Sequence, residues 1–251
     1  MKIISIANLK GGVGKTTVVQ NLAGVLLERK KRVLLVDLDK QTNLTSTYAT
    51  AGYSTDDGPG IYQALKNDTP FRDILQETHV EGLSLLPGEW DLILAHTTMG
   101  NDPNVYYQFR DGLQQIPGID YVLIDTPPDL RLETLLGLFA STAYLVPVDP
   151  DEYSYKGIVM LEREVEKLRK KINPNIKCLG YVFNKLQPNR NLIDQNVHQY
   201  RERFGPRILK TELRLSIKYG EARSNRVPIT HYQPTSEWAD LYRNLAKEID
   251  L

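Results

Sequence analysis

A short glycine-rich segment near the start of the chain constrains its fold more than any other feature. Residues 10–16 read Lys-Gly-Gly-Val-Gly-Lys-Thr, between an apolar run at residues 3–6 that predicts a strand and a helical pattern at residues 16–29. Glycines at such a turn let backbone N–H groups curl around an anion, and the N-terminus of the helix adds partial positive charge. The segment therefore predicts a phosphate-binding loop between a β-strand and an α-helix.

The lysine and hydroxyl side chains of this loop suit a nucleoside triphosphate with Mg²⁺. Lys15 is expected to reach the β- and γ-phosphates, and the Thr16 hydroxyl is expected to bind the metal ion. The standard form of the loop opens with a glycine where Leu9 stands, so this is a variant form in which Lys10 precedes the glycines. The predicted nucleotide-binding residues of the loop are Gly11, Gly12, Val13, Gly14, Lys15, Thr16 and Thr17.

Carboxylates follow two other apolar runs of the chain. The run at residues 33–36 leads into Asp37 and Asp39, and the run at residues 121–124 leads into Asp125. Ligands of an open parallel sheet bind outside the carboxyl ends of its strands, so these acids should face the phosphate loop. An acid placed there can hold Mg²⁺ or orient a nucleophilic water. A lone strand-end aspartate is often a helix cap, but three of them beside a phosphate loop favour a metal-dependent site.

Apolar runs alternate with helical patterns along the whole chain. Because the apolar runs are nearly continuous, they predict strands buried on both faces, as in a parallel sheet. The expected fold class is α/β, an open, mostly parallel twisted sheet with helices on both faces, in a single domain over residues 1–251. Residues 51–59 are expected to form a flexible loop. Strands are predicted at residues 3–6, 33–36, 83–86, 121–124, 143–148 and 178–183, and helices at residues 16–29, 155–171 and 192–204.

Composition excludes several other classes of protein. With 41% hydrophobic and 25% charged residues, the 251-residue chain has the make-up of an ordinary globular protein rather than a disordered or fibrous one. Its one cysteine, Cys178, excludes a disulfide framework and suits a reducing compartment. No apolar run approaches the 18 or more residues that typically mark a membrane-spanning helix. A cytoplasmic protein without a membrane span is expected.

Charge is segregated along the chain although the net charge is zero. Residues 156–226 contain 17 Lys and Arg against 7 Asp and Glu, and the rest of the chain holds the compensating acids. Such a surplus suggests a polyanion such as DNA as a partner, although solvated helix faces would show the same count. Arg214, Lys218 and Arg223 are the candidate DNA-binding residues within a basic series made of Arg201, Arg203, Arg207, Lys210, Arg214, Lys218, Arg223 and Arg226.

Taken together, these motifs resemble a known family. The lysine before the glycines, the Asp37-Leu38-Asp39 segment and the segment Asp125-Thr126-Pro127-Pro128 look like the deviant Walker ATPases of the ParA/MinD group, and most like ParA-type partition ATPases. The resemblance continues through residues 147–150, 180–184, 222, 228–229 and 232–234 to a closing helix at residues 236–251. It therefore covers essentially the whole chain.

The resemblance implies roles for individual residues. Lys10 would be the signature lysine, which reaches across a nucleotide-sandwich homodimer to the partner's phosphates. Asp39 would position the attacking water beside Mg²⁺, and Asp125 would support the ion. Asn184 resembles the position that contacts adenine, and Lys218 falls where similar proteins often carry a DNA-binding arginine.

The activity implied is a slow ATPase with a positioning role. The ATP-bound dimer would bind non-specific DNA on the nucleoid. A ParB-like or analogous cargo adaptor would then release it by stimulating hydrolysis. The cargo, whether a plasmid, a chromosome region or a protein assembly, is not encoded in these motifs. The chain resembles the short form of the family, without an N-terminal helix-turn-helix.

Two departures from the family pattern bear on the chemistry. Many members have Pro and Gly where this chain has Lys40 and Thr42, which affects how the loop after Asp39 moves and hence the rate of hydrolysis. The pair Asn184-Lys185 resembles the guanine-selecting motif of GTPases. Residue 187 is Gln instead of the Asp of that motif, so ATP is favoured over GTP.

Three alternative functions share this loop. A MinD-like membrane-cycling ATPase would need a basic amphipathic tail, whereas residues 236–251 are net acidic and their apolar stripe is typical of core packing. An iron–sulfur reductase would need two cysteines per subunit. A small-molecule enzyme such as an ATP-dependent ligase would need a further catalytic constellation, and the four histidines show no ligand spacing.

Overall fold

In a computed structural model of the chain, residues 1–55, 58–186 and 191–251 are described, apart from the side chains of residues 152–154 and 191–194. Two residues of the predicted loop at 51–59, and Gln187, lie outside this set. The strands in the described residues are β1 (Lys2–Ile6), β2 (Val33–Asp37), β3 (Gln76–Glu77), β4 (Leu83–Leu86), β5 (Tyr121–Asp125), β6 (Ala143–Val148), β7 (Lys177–Leu186) and β8 (Ile208–Arg214).

These strands form one eight-stranded sheet in the order β3-β4-β2-β5-β1-β6-β7-β8. Every neighbouring pair is parallel except β3 with β4, which is antiparallel. The predicted open, mostly parallel sheet is therefore confirmed. All six predicted strands are present, and β3 and β8 were not predicted.

Helices connect the strands and cover the sheet. The three predicted helices correspond to the first, eighth and ninth helices, with ends that differ by at most three residues. The closing helix is capped by Ser236, whose hydroxyl accepts a hydrogen bond from the Ala239 N–H. The helices of the described residues are α1 (Lys15–Glu28), α2 (Asn43–Tyr48), α3 (Ile61–Lys66), α4 (Phe71–Ile74), α5 (Leu92–Met99), α6 (Asn104–Gln114), α7 (Leu132–Ala140), α8 (Glu152–Lys171), α9 (Asn191–Phe204), α10 (Ile217–Ser224), α11 (Ile229–Tyr232) and α12 (Glu237–Glu248).

Both faces of the sheet are buried. Successive residues of a strand point to opposite faces, so Ile3 packs with α3 to α7 on one face while Ile4 packs with α1 and α12 on the other. On α12, Tyr242 and Leu245 are fully buried in this second cluster, so the apolar stripe of the closing helix is used for core packing, as predicted. Helices on both faces of the sheet are thus confirmed.

The parallel strands all end at one edge of the sheet, called the carboxyl edge below. Ile6, Asp37, Asp125 and Val148 end four neighbouring strands there. The opposite edge, where these strands begin, is called the amino edge. No helix among the described residues has both the length and the apolar character needed to cross a membrane.

Candidate nucleotide site

The glycine-rich loop joins β1 to α1 at the carboxyl edge. Gly12 and Gly14 have φ of 74° and 86°, in the left-handed region that glycine tolerates best. A β-carbon on Gly14 would also lie 2.4 Å from the Asn184 amide nitrogen. The backbone from Gly11 to Gly14 therefore forms the predicted loop. It leads directly into α1, so the N-terminus of this helix lies at the carboxyl edge.

Lys15 lies inside this loop. Its side chain is nearly buried, with 7% of the residue surface exposed, and its Nζ donates a hydrogen bond to the Asn8 carbonyl at 3.1 Å. Burial lowers the pKa of Lys15, against the attraction of Asp125 and Asp39, which raises it. Because a buried ammonium is stabilised by an anion, this placement suits a phosphate ligand.

Thr16 and Asp125 meet beside the loop. The Thr16 hydroxyl donates to Asp125 Oδ2 at 2.5 Å. The other carboxylate oxygen, Oδ1, is buried and has no hydrogen-bond partner among the described residues. Burial and the neighbouring Asp37 charge raise the pKa of Asp125 well above its usual range. An unpartnered buried carboxylate oxygen next to a hydroxyl fits Mg²⁺, which would neutralise charge on phosphate oxygens when bound.

Asp37 stands opposite Asp125 in the β2–β5 register and is fully buried. Its Oδ2 accepts hydrogen bonds from the backbone N–H and the hydroxyl of Thr45, both at 2.8 Å, and its Oδ1 accepts one from the Asp39 N–H at 3.1 Å. Burial raises the pKa of Asp37 to about 6, although these hydrogen bonds oppose the shift. Asp37 thus anchors the loop that carries Asp39. The Thr45 contact spans eight residues and has no signal in the local sequence pattern.

Asp39 is the acid after β2 that remains open to solvent. It is partly exposed, whereas Asp37 and Asp125 are buried. Its Oδ1 accepts a hydrogen bond from the Gln41 N–H at 2.9 Å. Thr42, which stands where many family members have Gly, has φ of 51°, in the left-handed region. The loop therefore keeps a conformation that favours glycine, although a β-branched residue occupies it.

The Lys10 side chain does not lie inside the loop as the Lys15 side chain does. Its Nζ donates to Asp149 Oδ2 at 2.9 Å and also contacts the Asp151 carboxylate. Burial acts to lower the pKa of Lys10, but the hydrogen bonds to Asp151 and Asp149 outweigh it and raise the pKa. These two acids follow the end of β6 and were not predicted as site residues. The rule that acids at strand ends face the loop, applied above to Asp37 and Asp125, also identifies them.

Asn184, at the carboxyl end of β7, is buried against the loop. Its Nδ2 donates to the Val13 carbonyl at 2.8 Å, and its Oδ1 accepts a hydrogen bond from the Lys185 N–H at 2.9 Å. The structure therefore brings Asn184 to the phosphate loop. Its contact with an adenine base stays a prediction.

The three candidate DNA-binding residues lie at the carboxyl end of β8 and on the helix that follows it. Arg214 ends the strand, with its guanidinium 3.5 Å from the Glu237 carboxylate. Lys218 and Arg223 lie on α10, and Lys218 Nζ is 2.9 Å from Glu221. All three are at least partly exposed, so this region can meet a large ligand.

Other residues of the basic series also make contacts within the chain. Arg201 pairs with Glu212 at 2.6 Å. The Arg226 guanidinium donates to the carbonyl of Thr47 at 2.8 Å, at the end of α2. The charge surplus counted along residues 156–226 is therefore larger than the positive charge left free on the surface.

Comparisons with known proteins identify the family of this chain. A family model described as AAA domain matches residues 1–178. A chromosome partitioning protein ParA of Myxococcus xanthus is 33% identical over 99% of this chain and 87% of its own length. A chromosome-partitioning ATPase Soj of Thermus thermophilus is 36% identical over 98% of this chain and 94% of its own length.

Solved structures show the same fold. The structure of apo McdA from Cyanothece superposes with a TM-score of 0.87 at 20% identity, over 99% of each chain. Cobyrinic acid a,c-diamide synthase of Mycobacterium smegmatis, solved with ADP and magnesium, superposes with a TM-score of 0.81 at 28% identity, over 98% of this chain and 93% of that one. By its full-length similarity to the partitioning proteins and its match to the family model, this chain belongs to the AAA domain family and, within it, to the ParA-type partition ATPases.

Proposed function

We propose that this protein is an ATP-dependent positioning ATPase that dimerises when it binds ATP and Mg²⁺. The observation that carries the proposal is the different placement of its two loop lysines. Lys15 is buried inside the loop, where it would serve the nucleotide of its own chain. The Lys10 side chain instead contacts Asp149 and Asp151, and we propose that it leaves them to serve a nucleotide bound by a second copy.

This arrangement couples nucleotide state to assembly. In the dimer, Lys10 would exchange its contacts with Asp149 and Asp151 for the phosphates bound by the partner copy. The γ-phosphate supplies the charge that makes this exchange favourable, and its loss on hydrolysis removes that charge. ATP would therefore favour the dimer and ADP the monomer.

Hydrolysis would reset the cycle. Thr16 and Asp125 would hold Mg²⁺. Asp39 would orient the attacking water, since it follows β2 and, unlike the buried Asp37, is partly exposed. Lys40 and Thr42 lie in the loop that carries Asp39, and we propose a slow intrinsic turnover set by this loop. A ParB-like or analogous cargo adaptor would accelerate it.

Adenine is the base that we propose for the nucleotide. One N–H of the Asn184 amide binds Val13, and the amide carries a second N–H that can donate to a base. Residue 187, where GTPases of the Asn-Lys-x-Asp type carry the guanine-binding aspartate, is Gln.

The region around Arg214, Lys218 and Arg223 is the proposed surface for non-specific DNA. Such residues contact phosphates, so binding should be independent of sequence and sensitive to salt. A two-fold dimer presents the region twice, which makes DNA binding depend on ATP. The membrane-cycling alternative has less support, because the apolar stripe of α12 is packed into the core.

The charge reversal Lys218→Glu is expected to weaken binding to any duplex by about tenfold or more while leaving ATP binding intact. If the wild-type dimer neutralises about four to six phosphates, its log–log salt slope should be roughly −4 to −5, and the variant should flatten it by about 1 to 2. The measurement is filter binding on two unrelated duplexes at several salt concentrations, with ATP and with ADP. Lys177→Glu makes the same charge change at the amino edge and serves as the control.

Equal DNA affinity with ADP and ATP would contradict this account. A strong preference for one duplex, or an effect of Lys177→Glu as large as that of Lys218→Glu, would also contradict it.

A further inference from the structure

The first turn of α5 and Trp90, two residues before the helix, expose an apolar face. Trp90 is 53% exposed, Ile93 37% and Leu94 43%, and these three residues are called the edge patch. Their spacing of three and four residues places them on one side of the turn, which is closed by a hydrogen bond from the Ile93 N–H to the Trp90 carbonyl at 3.2 Å. The other side of α5 buries Leu92 and Ala95 in the core. Packing of α5 in the core therefore does not require the exposed side chains of the edge patch.

The edge patch lies at the carboxyl edge, beside the acidic strand ends. β4 ends at Leu86, in register with Val36 of β2. Gly88, two residues later, packs so closely on Asp37 that a β-carbon there would lie 2.8 Å from the Asp37 carbonyl oxygen. The Gly88 N–H also donates to the Thr45 hydroxyl at 2.8 Å. The segment that leads into the edge patch is thus fixed to the same residues that anchor the Asp39 loop.

The phosphate loop and the edge patch are close enough along the sheet to lie in one interface. β4 is three strands from β1, about 14 Å at the usual spacing of about 4.8 Å per strand. An interface of standard size covers about 800 Å² of each partner, which corresponds to a disc of radius about 16 Å. An interface of this size centred on the phosphate loop is therefore wide enough to include the edge patch.

We infer that the edge patch is an interface between two copies of this chain in the ATP-bound dimer. The inference rests on the proposed function, because it is the trans role of Lys10 that brings a second copy over the carboxyl edge. Grouped, exposed apolar side chains mark interaction sites, and tryptophan is enriched among the residues that dominate binding energy. In a two-fold dimer each copy contributes its patch, so one substitution changes the interface at two places.

Leu94→Lys in an Asp39→Ala background tests the inference. The background is expected to hold the ATP dimer, and an exposed leucine can be replaced without disturbing the core. We expect the dimer dissociation constant with ATP, measured by analytical ultracentrifugation, to rise at least about tenfold, with ATP affinity by calorimetry unchanged. Ile172→Lys is the matched control, since Ile172 is 45% exposed but lies at the amino edge, and it should leave dimerisation within about twofold.

Trp90 provides a second readout in the same background with Trp238→Phe, which leaves Trp90 as the only tryptophan. Its emission should shift to shorter wavelength when ATP is added, and the shift should be lost when Lys10→Ala is also present. If Asp39→Ala dimerises with ATP but Leu94→Lys leaves the dimer intact and Trp90 emission unchanged, the inference is wrong and the proposed function stands. If Asp39→Ala remains a monomer with ATP, both are wrong.

Discussion

Replacing Lys15 with alanine is expected to abolish ATP binding at ordinary concentrations, raising the dissociation constant by about 30-fold or more. The ammonium is nearly buried in the loop and bonds to the Asn8 carbonyl. Removing one partner of a buried charge pair costs about 2–5 kcal/mol, which corresponds to a change of about 30-fold to several thousandfold. The measurement is calorimetry with ATP and Mg²⁺.

Lys31→Ala serves as the control for this change, because Lys31 follows the opposite end of α1 at the amino edge. It should bind ATP with unchanged affinity. The Lys15 variant should remain folded, since burial penalises the charge that the substitution removes. Equal ATP affinity for Lys15→Ala and the wild-type chain would refute the assignment of the phosphate loop.

Replacing Asp39 with alanine is expected to lower ATP turnover by about 100-fold or more while ATP still binds. Asp37 and Asp125 are buried and hydrogen-bonded to threonine side chains, whereas Asp39 is partly exposed and can meet a water. Loss of a positioned base typically costs 10²–10⁴ in rate. Phosphate release at saturating ATP measures the effect.

Asp129→Ala is the companion variant for this prediction. Asp129 is also a partly exposed acid that follows β5, but no role in hydrolysis is assigned to it. Its turnover should stay within a few-fold of the wild-type value. Turnover of Asp39→Ala at the wild-type rate, or an equal loss in both variants, would show that Asp39 is not the residue that orients the water.

The strands of the central sheet were predictable because their burial leaves a direct mark on the sequence. β1, β2 and β5 are covered on both faces and read as nearly continuous apolar runs. β8 has polar or charged residues at Lys210, Glu212 and Arg214, since it lies at the edge of the sheet with one face toward solvent. Lys210 and Arg214 belong to the basic series, and the buried Leu209 and Leu213 are too few to mark a strand in the sequence. β3 is two residues long and carries no pattern.

In the candidate site, too, some features could be predicted from the sequence and others could not. The loop, Thr16 and Asp125 could be predicted because the strand-to-helix turn and the parallel register bring them together. The strand-end rule brings Asp149 to the carboxyl edge, but its pairing with Lys10 depends on side-chain geometry. The contact of Asp37 with Thr45 likewise has no signal in the local sequence. The edge patch was missed because α5 is apolar on both sides and shows no helical period.

The molecular mass of Asp39→Ala in solution tests the central claim most directly. Light scattering is run without DNA, with ATP and Mg²⁺ and then with ADP and Mg²⁺, and is repeated with Lys10→Ala. We expect a dimer of Asp39→Ala with ATP, a monomer with ADP, and a monomer of Lys10→Ala that nevertheless binds ATP. A monomer of Asp39→Ala with ATP, or a stable dimer of Lys10→Ala, would contradict the account of an ATP-gated dimer held by a lysine acting in trans.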